Sequence, residues 1–338
     1  MRASVLLSGN KEQLSLLADL SLLEFDASLG CPLETYEDAT LALVGGKALQ
    51  CWRLMRHGLP VPPAFVIPTY VYSLHVGEAG VADLINDVFS CNLGDDTARE
   101  ELTVKLETIR TKIKSTPLNP EVIDNLKSFL RTLNGKSVSV RSSASAEDLG
   151  SQSFAGQYDT FLYKSTIEEV CDSIKACWAS MFKAHILDYA SKPVFLDAKV
   201  GDDSEPEVYT PGRMKPPHMG VLIMKMVEAK SSGVCFSKNL WGKADEIMVE
   251  AVLGQGEGLV GGEITPDRYV VEKHTSKLCY QELTPQTHKF VRSSNMDGVE
   301  KVALAEPFEG SVLSPRNIKV TCHLLLSCCI SISFDAIN

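Results

Sequence analysis

Residues 43–65 read LVGGKALQCWRLMRHGLPVPPAF and carry the sharpest structural signal of the chain. Gly45 and Gly46 predict a turn, and the apolar residues that follow recur at helical spacing. Gly58 and the prolines after it predict the end of that helix. Lys47 at the helix start is electrostatically unfavourable, because the helix dipole is positive there, and a bound anion would account for it. On this motif alone, a solvated lysine after a glycine turn is the simpler explanation.

A second signal is the stretch VSVRSSASAEDLGSQSFAGQ at residues 138–157. The β-branched residues up to Arg141 predict a strand, and the small residues 142–156 predict a loop. Backbone N–H groups of such loops cradle phosphates, and a guanidinium can add a bidentate contact. An ordinary serine-rich loop in which Arg141 pairs with Asp148 or Glu147 explains the same residues equally well.

The order of the predicted elements indicates an α+β fold, with a helical first half and a strand-rich second half. We divide the chain into an N-terminal extension (1–41), a first lobe (42–196), an acidic Pro/Gly insertion (197–217), a second lobe (218–312) and a tail (313–338). The tail is apolar and rich in Cys and Ser, and its apolar residues recur with neither a helical nor an alternating period. We therefore expect it to be poorly packed and to lie outside the fold, with a genuine C-terminal strand as the alternative.

Residues 256–261, GEGLVG, match the dinucleotide fingerprint G-x-G-x-x-G. That fingerprint needs a helix directly after it, because the pyrophosphate sits on the helix N-terminus. The residues that follow contain a proline and then strand formers, so the sequence argues against a Rossmann fold. The Thr-Cys-His at His323 resembles a phosphohistidine loop, but it lacks the flanking glycines and is best explained by chance.

Composition limits the possible partners and compartment. The chain has 338 residues and a formal net charge of −10, which gives no general attraction for nucleic acid or anionic membranes. No apolar run approaches the roughly 18 residues of a membrane helix, and the N-terminus does not read as a signal peptide. The ten cysteines include no C-x-x-C pair and suit a reducing compartment. We expect a cytoplasmic protein.

Four stretches in one order resemble a known family: residues 43–65, residues 138–157, MGVLIMKMVEAKSSGVCFS and VEAVLGQGEGLVGGEITPDRYVVEK. They are similar to the N-terminal ATP-binding domain of the phosphoenolpyruvate synthase and pyruvate phosphate dikinase family, which includes rifampicin phosphotransferases. The resemblance covers about residues 42–312. It implies an ATP-grasp-like fold, ATP and Mg²⁺ as cofactors, and transfer of a phosphoryl or pyrophosphoryl group to a histidine on a separate domain. A further domain then passes the group to an acceptor such as pyruvate.

The resemblance also implies roles for individual residues. Lys47 and Arg141 would contact the ATP phosphates and act in catalysis, the loop at 142–156 would fold over the triphosphate, and the strand at 224–227 would bind adenine through its backbone. Glu250 would face the ribose or the metal. The implied nucleotide-binding set is Lys47, Arg141, Ser142, Ser143, Gly156, Thr160, Met224, Lys225, Val227 and Glu250.

The sequence departs from the family pattern near its end. The family's Glu-Trp and Gln-x-Arg-Pro strands, which hold the metal and a phosphate, are not found. Our interpretation is a truncated ATP-binding domain of a phosphoenolpyruvate synthase-like phosphotransferase, whose partner would be a separate phosphohistidine or acceptor domain. The alternative is a non-catalytic nucleotide- or partner-binding module made from the same fold.

Overall fold

The structure is a computed structural model that describes residues 29–36, 39–90, 96–144, 158–183, 218–239, 241–243, 245–294 and 298–327. Gly156, the suggested Arg141 partners Glu147 and Asp148, the insertion at 197–217 and the side chain of His323 lie outside the described residues. Within them, no helix is both long enough and apolar enough to cross a membrane.

The chain forms mixed helices and strands, which confirms the α+β class. The helices are α1 (Leu41–Val44), α2 (Gly46–Arg56), α3 (Thr69–Glu78), α4 (Ala82–Ser90), α5 (Asp96–Ser115), α6 (Pro120–Thr132), α7 (Ile167–Ser180), α8 (Glu257–Val260) and α9 (Pro315–Ser327). The strands are β1 (Cys31–Pro32), β2 (Ala64–Ile67), β3 (Val138–Ala144), β4 (Thr160–Lys164), β5 (Met219–Lys225), β6 (Ser231–Phe236), β7 (Glu246–Leu253), β8 (Asp267–Glu272), β9 (Leu278–Glu282), β10 (Gln286–Arg292) and β11 (Val299–Phe308).

The first sheet has the order β1-β2-β5-β3-β4, with antiparallel neighbours throughout. Its central strand β5 is apolar along its length because both faces of the sheet are covered. Val221 and Ile223 face the core shared with α3 to α7, whereas Leu222 and Met224 face the core shared with α1 and α2. The sheet is therefore the middle layer between two groups of helices.

The helices of the first half begin where the sequence indicates. Asn119 accepts a hydrogen bond from Glu121 N at the start of α6, and Pro120 occupies the first helical position. Thr166 and Glu169 form a reciprocal capping box at the start of α7. These caps satisfy N–H groups that would otherwise lack partners, so they fix the ends of the helices.

The second sheet has the order β6-β7-β8-β9, and β10 pairs with β11 in a separate hairpin. All named strand pairs among the described residues are antiparallel. The G-x-G-x-x-G stretch forms only the single turn α8 and leads into the strand β8. A Rossmann site requires parallel strands and a long helix at this point, so the structure agrees with its exclusion.

Helix α9 corrects the expectation that the tail has no regular structure. Ser314 caps the helix, with its Oγ accepting from Asn317 N at 3.1 Å, and Pro315 is the first helical residue. Ile318 and Cys322, four residues apart, are buried against the second sheet beside Ile247. Two buried positions make too short a stripe to give a visible period, which is why the sequence interpretation failed here.

Candidate functional site

The N-terminus of α2 is locked against β3. Gly45 has φ +77°, and a Cβ atom there would lie 1.8 Å from the Ser143 carbonyl oxygen. The Ser143 hydroxyl donates to Val44 O at 2.8 Å and accepts from Ala48 N at 3.0 Å. A strand residue therefore satisfies the end of α1 and the start of α2 together, and only glycine fits between them.

Lys47 and Arg141 both lie close to this contact. Lys47 Nζ donates to Ser142 Oγ at 3.3 Å. Arg141 is only 8% exposed. Burial raises the pKa of the Cys51 thiol on α2 to about 11, and the positive charge of Arg141 opposes that rise. Lys47 therefore lies at the start of α2, where the helix dipole adds positive potential, and Arg141 lies close enough to the same helix to act on Cys51.

The first residues of the predicted serine-rich loop belong to strand β3 in the structure. Ser142 and Ser143 belong to β3, where they pair with Val221 and Gly220 of β5. Their small side chains permit the close approach of α1 and α2, so they are selected by packing as well as by any ligand. Thr160 on β4 lies directly opposite Arg141 in the ladder. Gly156 is outside the described residues.

The predicted adenine strand ends earlier than expected. Met224 and Lys225 lie in β5, between β2 and β3, and their backbone groups take part in the two ladders. Val227 lies beyond the strand, is 55% exposed, and accepts a hydrogen bond from Gln255 Nε2 at 2.9 Å. Any backbone contact between this segment and a base would therefore use residues after β5, because a central strand has no unused ladder groups.

Lys225 lies in an environment different from that of Lys47. Its side chain lines a cavity of about 710 Å³ together with Phe65, Phe129 and Lys136. Lys225 lies at the end of β5, whereas Gly220, opposite Ser143, lies near its start. The side chain of Lys225 is therefore separated from Lys47 along the strand.

Glu250 is engaged in an ion pair. Its Oε1 accepts from Arg268 Nε at 3.1 Å and Nη2 at 3.0 Å, and Arg268 also lies over the Trp241 ring at 4.8 Å. Both hydrogen bonds go to Oε1, so a cation at Glu250 would share the carboxylate with Arg268 and contact Oε2. No group of three or more His, Cys, Asp or Glu side chains suited to a metal occurs in the described part of the chain. Mg²⁺ at Glu250 would therefore depend on substrate phosphates and water for its other ligands.

A polar junction between the two sheets was not predicted from the sequence. Gln255, just after β7, donates to the hydroxyl of Tyr163 on β4 at 2.6 Å. Tyr163 is fully buried and has φ +58°, a value that is uncommon for a bulky residue. Burial raises the pKa of Tyr163 to about 12. The two residues are 92 positions apart, and no local pattern in the sequence signals their contact.

Comparison with known proteins identifies the family. A family model described as pyruvate phosphate dikinase, AMP/ATP-binding domain, matches residues 41–326. The chain belongs to this family. The match includes most of α9, which the sequence interpretation had placed outside the resemblance. The resemblance to the phosphoenolpyruvate synthase and pyruvate phosphate dikinase family is therefore confirmed.

Curated relatives agree with this assignment. The chain is 34% identical over 257 residues to a probable phosphoenolpyruvate synthase of Staphylothermus marinus, covering 73% of this chain and 28% of that protein. It is 37% identical over 241 residues to the phosphoenolpyruvate synthase of Aeropyrum pernix, covering 69% and 27%. An uncharacterized phosphotransferase of Bacillus subtilis is 30% identical over 239 residues, covering 70% and 24%. The chain spans between 23% and 35% of the length of such relatives.

Proposed function

We propose that this chain is an ATP-grasp-like ATP-binding unit of a phosphoenolpyruvate synthase-like phosphotransferase. One observation carries the proposal: the Gly45 turn seats the start of α2 on β3, with Lys47 at the start of the helix and Arg141 near Cys51 of the same helix. Such a helix end attracts phosphate through its N–H groups and its dipole. The family match supplies the identity of the anion as a nucleotide phosphate.

In this proposal each residue has a distinct role. Lys47 and Arg141 neutralise phosphate oxygens, which is the main requirement of phosphoryl transfer. Thr160 lies opposite Arg141 in the ladder and Ser142 lies beside Lys47, so each supplies a hydroxyl group next to one of the two cations. The loop that contains Gly156 covers the triphosphate, and the base lies against the segment after β5, near Val227.

The wider context is also proposed. The boundaries 42–196 and 218–312 are shifted here, because β5 belongs to the first sheet and α9 packs on the second: the first lobe extends to β5, the second extends from β6 to α9, and the acidic insertion precedes β5. The protein acts in the cytoplasm. A separate phosphohistidine domain would receive the phosphoryl or pyrophosphoryl group and deliver it to pyruvate or another acceptor. Mg²⁺ accompanies ATP in such chemistry, but we assign it no ligand here because Glu250 is paired with Arg268.

The second candidate is a non-catalytic nucleotide-binding module. The Glu250–Arg268 pair favours it, because the proposed cation site holds a guanidinium in place of a metal. Both candidates predict ATP binding, and they differ in turnover.

Equilibrium dialysis of the purified chain against labelled ATP, with and without Mg²⁺, tests the shared claim. We expect saturable binding of one ATP per chain, and no binding would contradict both candidates. The same samples, mixed with Mg²⁺ and a separately purified phosphohistidine domain of a relative and then separated by chromatography, distinguish the two. Formation of AMP favours the enzyme, whereas bound, unchanged ATP favours the module.

A further inference from the structure

The side-chain amide of Gln255 connects three segments of the chain. Its Nε2 donates to the Tyr163 hydroxyl at 2.6 Å and to Val227 O at 2.9 Å. Tyr163 belongs to the first sheet, Val227 to the connection between β5 and β6, and Gln255 to the end of β7. An amide nitrogen carries two hydrogens, so both are used in these contacts.

Tyr163 continues this set of contacts. Its hydroxyl lies 3.5 Å from the Glu228 carboxylate, to which it donates its own hydrogen. Arg292 lies over the Tyr163 ring at 5.1 Å and donates to Ser165 Oγ at 3.4 Å. The positive φ of Tyr163 persists because burial and these contacts determine its position. Val227 and Glu228 are therefore held from both sides by one amide and one phenol.

We propose that Tyr163 and Gln255 are positioning residues that fix Val227 and Glu228 for contact with the adenosine part of the nucleotide, an inference that rests on the proposed ATP site. The backbone of β5 is used in two ladders, so the base must contact the segment after it. That segment is outside any sheet, and the Tyr163–Gln255 pair sets its position. A carbonyl oxygen has two lone pairs, so Val227 O keeps acceptor capacity while Gln255 orients it.

This placement predicts that substitutions at the two places differ in how strongly they weaken the binding of ATP, AMP and adenosine. Lys47 and Arg141 act on the phosphates, so their loss weakens ATP binding more than adenosine binding. Tyr163 and Gln255 act on the segment near the base, so their loss weakens ATP, AMP and adenosine by the same factor. A smaller folded fraction would also weaken every ligand by one factor, so the folded fraction of each variant is measured by circular dichroism and affinity is expressed per folded chain.

The binding test uses Tyr163→Phe, Gln255→Leu and the double variant. Each single change removes two hydrogen bonds of the junction and should raise the dissociation constants of ATP and AMP equally, by roughly 5- to 10-fold. The double variant should show less than the product of the single effects, because the two residues share one set of contacts. Matched controls are Tyr280→Phe and Gln281→Leu, two exposed residues of β9, which should leave binding unchanged.

A second measurement needs no ligand. Hydrogen exchange of the amides at residues 226–230 should become about 10-fold faster in Tyr163→Phe and Gln255→Leu, as expected when local opening costs less. The controls should not change it. Should Gln255→Leu fail to fold, Tyr163→Phe, which keeps the buried ring, decides the question.

The outcomes separate the two proposals. Failure of the unsubstituted chain to bind ATP would overturn the proposed function, while the exchange measurement would still test the Tyr163–Gln255 pair. Weaker ATP binding in Arg141→Ala, with unchanged binding and unchanged exchange in Gln255→Leu and Tyr163→Phe, would overturn this inference alone.

Discussion

Gly45 shows how a single residue places the candidate site. Its backbone conformation is left-handed and its hydrogen faces the Ser143 carbonyl, so any side chain would separate α2 from β3. The position of Lys47 depends on this contact, because Lys47 lies two residues further along the same helix start. Arg141 reaches the same region from the strand side.

We predict that Gly45→Ala destabilises the protein by about 2–4 kcal/mol, from left-handed strain together with overpacking. Urea denaturation followed by circular dichroism measures the change. Gly80→Ala is the matched control, because Gly80 has φ +63° but no atom within 4 Å of an added Cβ. The control should show only the strain, about 1–2 kcal/mol. Equal losses in the two variants would contradict the proposed contact between Gly45 and Ser143.

His75 makes folding stability depend on pH. It is buried beside the Trp178 ring at 4.9 Å, and its Nε2 donates to Ile113 O at 2.9 Å. Its buried Nδ1 has no hydrogen-bond partner. Burial lowers the pKa of His75 below its ordinary value of 6.5, with smaller opposing effects from the Ile113 bond and Glu78 and a small further lowering by Lys175.

The unfolded state binds the proton of His75 more readily than the folded state does. The contribution of neutral His75 to the free energy of unfolding is therefore complete above pH 6.5, and it falls as the pH drops toward the folded-state pKa of His75. We predict that His75→Gln loses less stability than the unsubstituted chain between pH 7 and pH 5. Denaturant titrations at several pH values measure it, since glutamine can donate to Ile113 O but does not titrate. Parallel curves for the two proteins would show that His75 does not cause the acid sensitivity.

At the scale of elements, strands that are buried on both faces are easier to predict from the sequence than strands that are exposed. Strands β2, β5 and β7 are largely apolar runs, and such runs indicate buried strands directly in the sequence. Strand β9 is exposed along its length and β11 largely so, and neither was predicted. A strand that buries no face carries no alternation for the sequence to show. Helix α9 escaped detection for the related reason that it buries only two described positions.

The residues of the candidate site also form two groups, those that local motifs indicate and those whose contacts depend on long-range packing. The positions of Lys47 and Arg141 follow from local motifs, because a glycine turn, a helix start and a strand are visible in adjacent residues, whereas their proposed roles come from the family resemblance. The Tyr163–Gln255 contact depends on two sheets meeting, and the Glu250–Arg268 pair depends on the β7–β8 register. Sequence inspection could not anticipate either contact, since each arises from long-range packing.

The burial of α9 predicts the reactivity of the cysteines. Burial raises the pKa of the Cys322 thiol to about 11 and raises that of Cys235, with which Cys322 interacts. Both thiols should react slowly with iodoacetamide at pH 8, because little thiolate forms and access is blocked. The exposed Cys279 should react first. Mass spectrometry with time identifies each site, and alkylation of Cys322 as fast as Cys279 would contradict the packing of α9.

At the scale of the whole molecule, the protein combines two sheets, a polar junction between them and one cationic helix start. The family match covers residues 41–326 and thus includes all of these parts except strand β1 of the first sheet. The central claim is that Arg141 and Lys47 hold the phosphates of ATP at the start of α2. This claim is independent of turnover, of the acceptor and of any metal ligand.

Isothermal titration calorimetry of ATP into the full chain and into Arg141→Ala tests that claim most directly. The account predicts a dissociation constant raised by roughly 10- to 100-fold in the variant, the range for a lost hydrogen bond to a charged group. Arg131→Ala, at an exposed arginine near the end of α6, is the control and should bind as the unsubstituted chain does. Equal affinity for ATP in the unsubstituted chain and in Arg141→Ala would contradict the account.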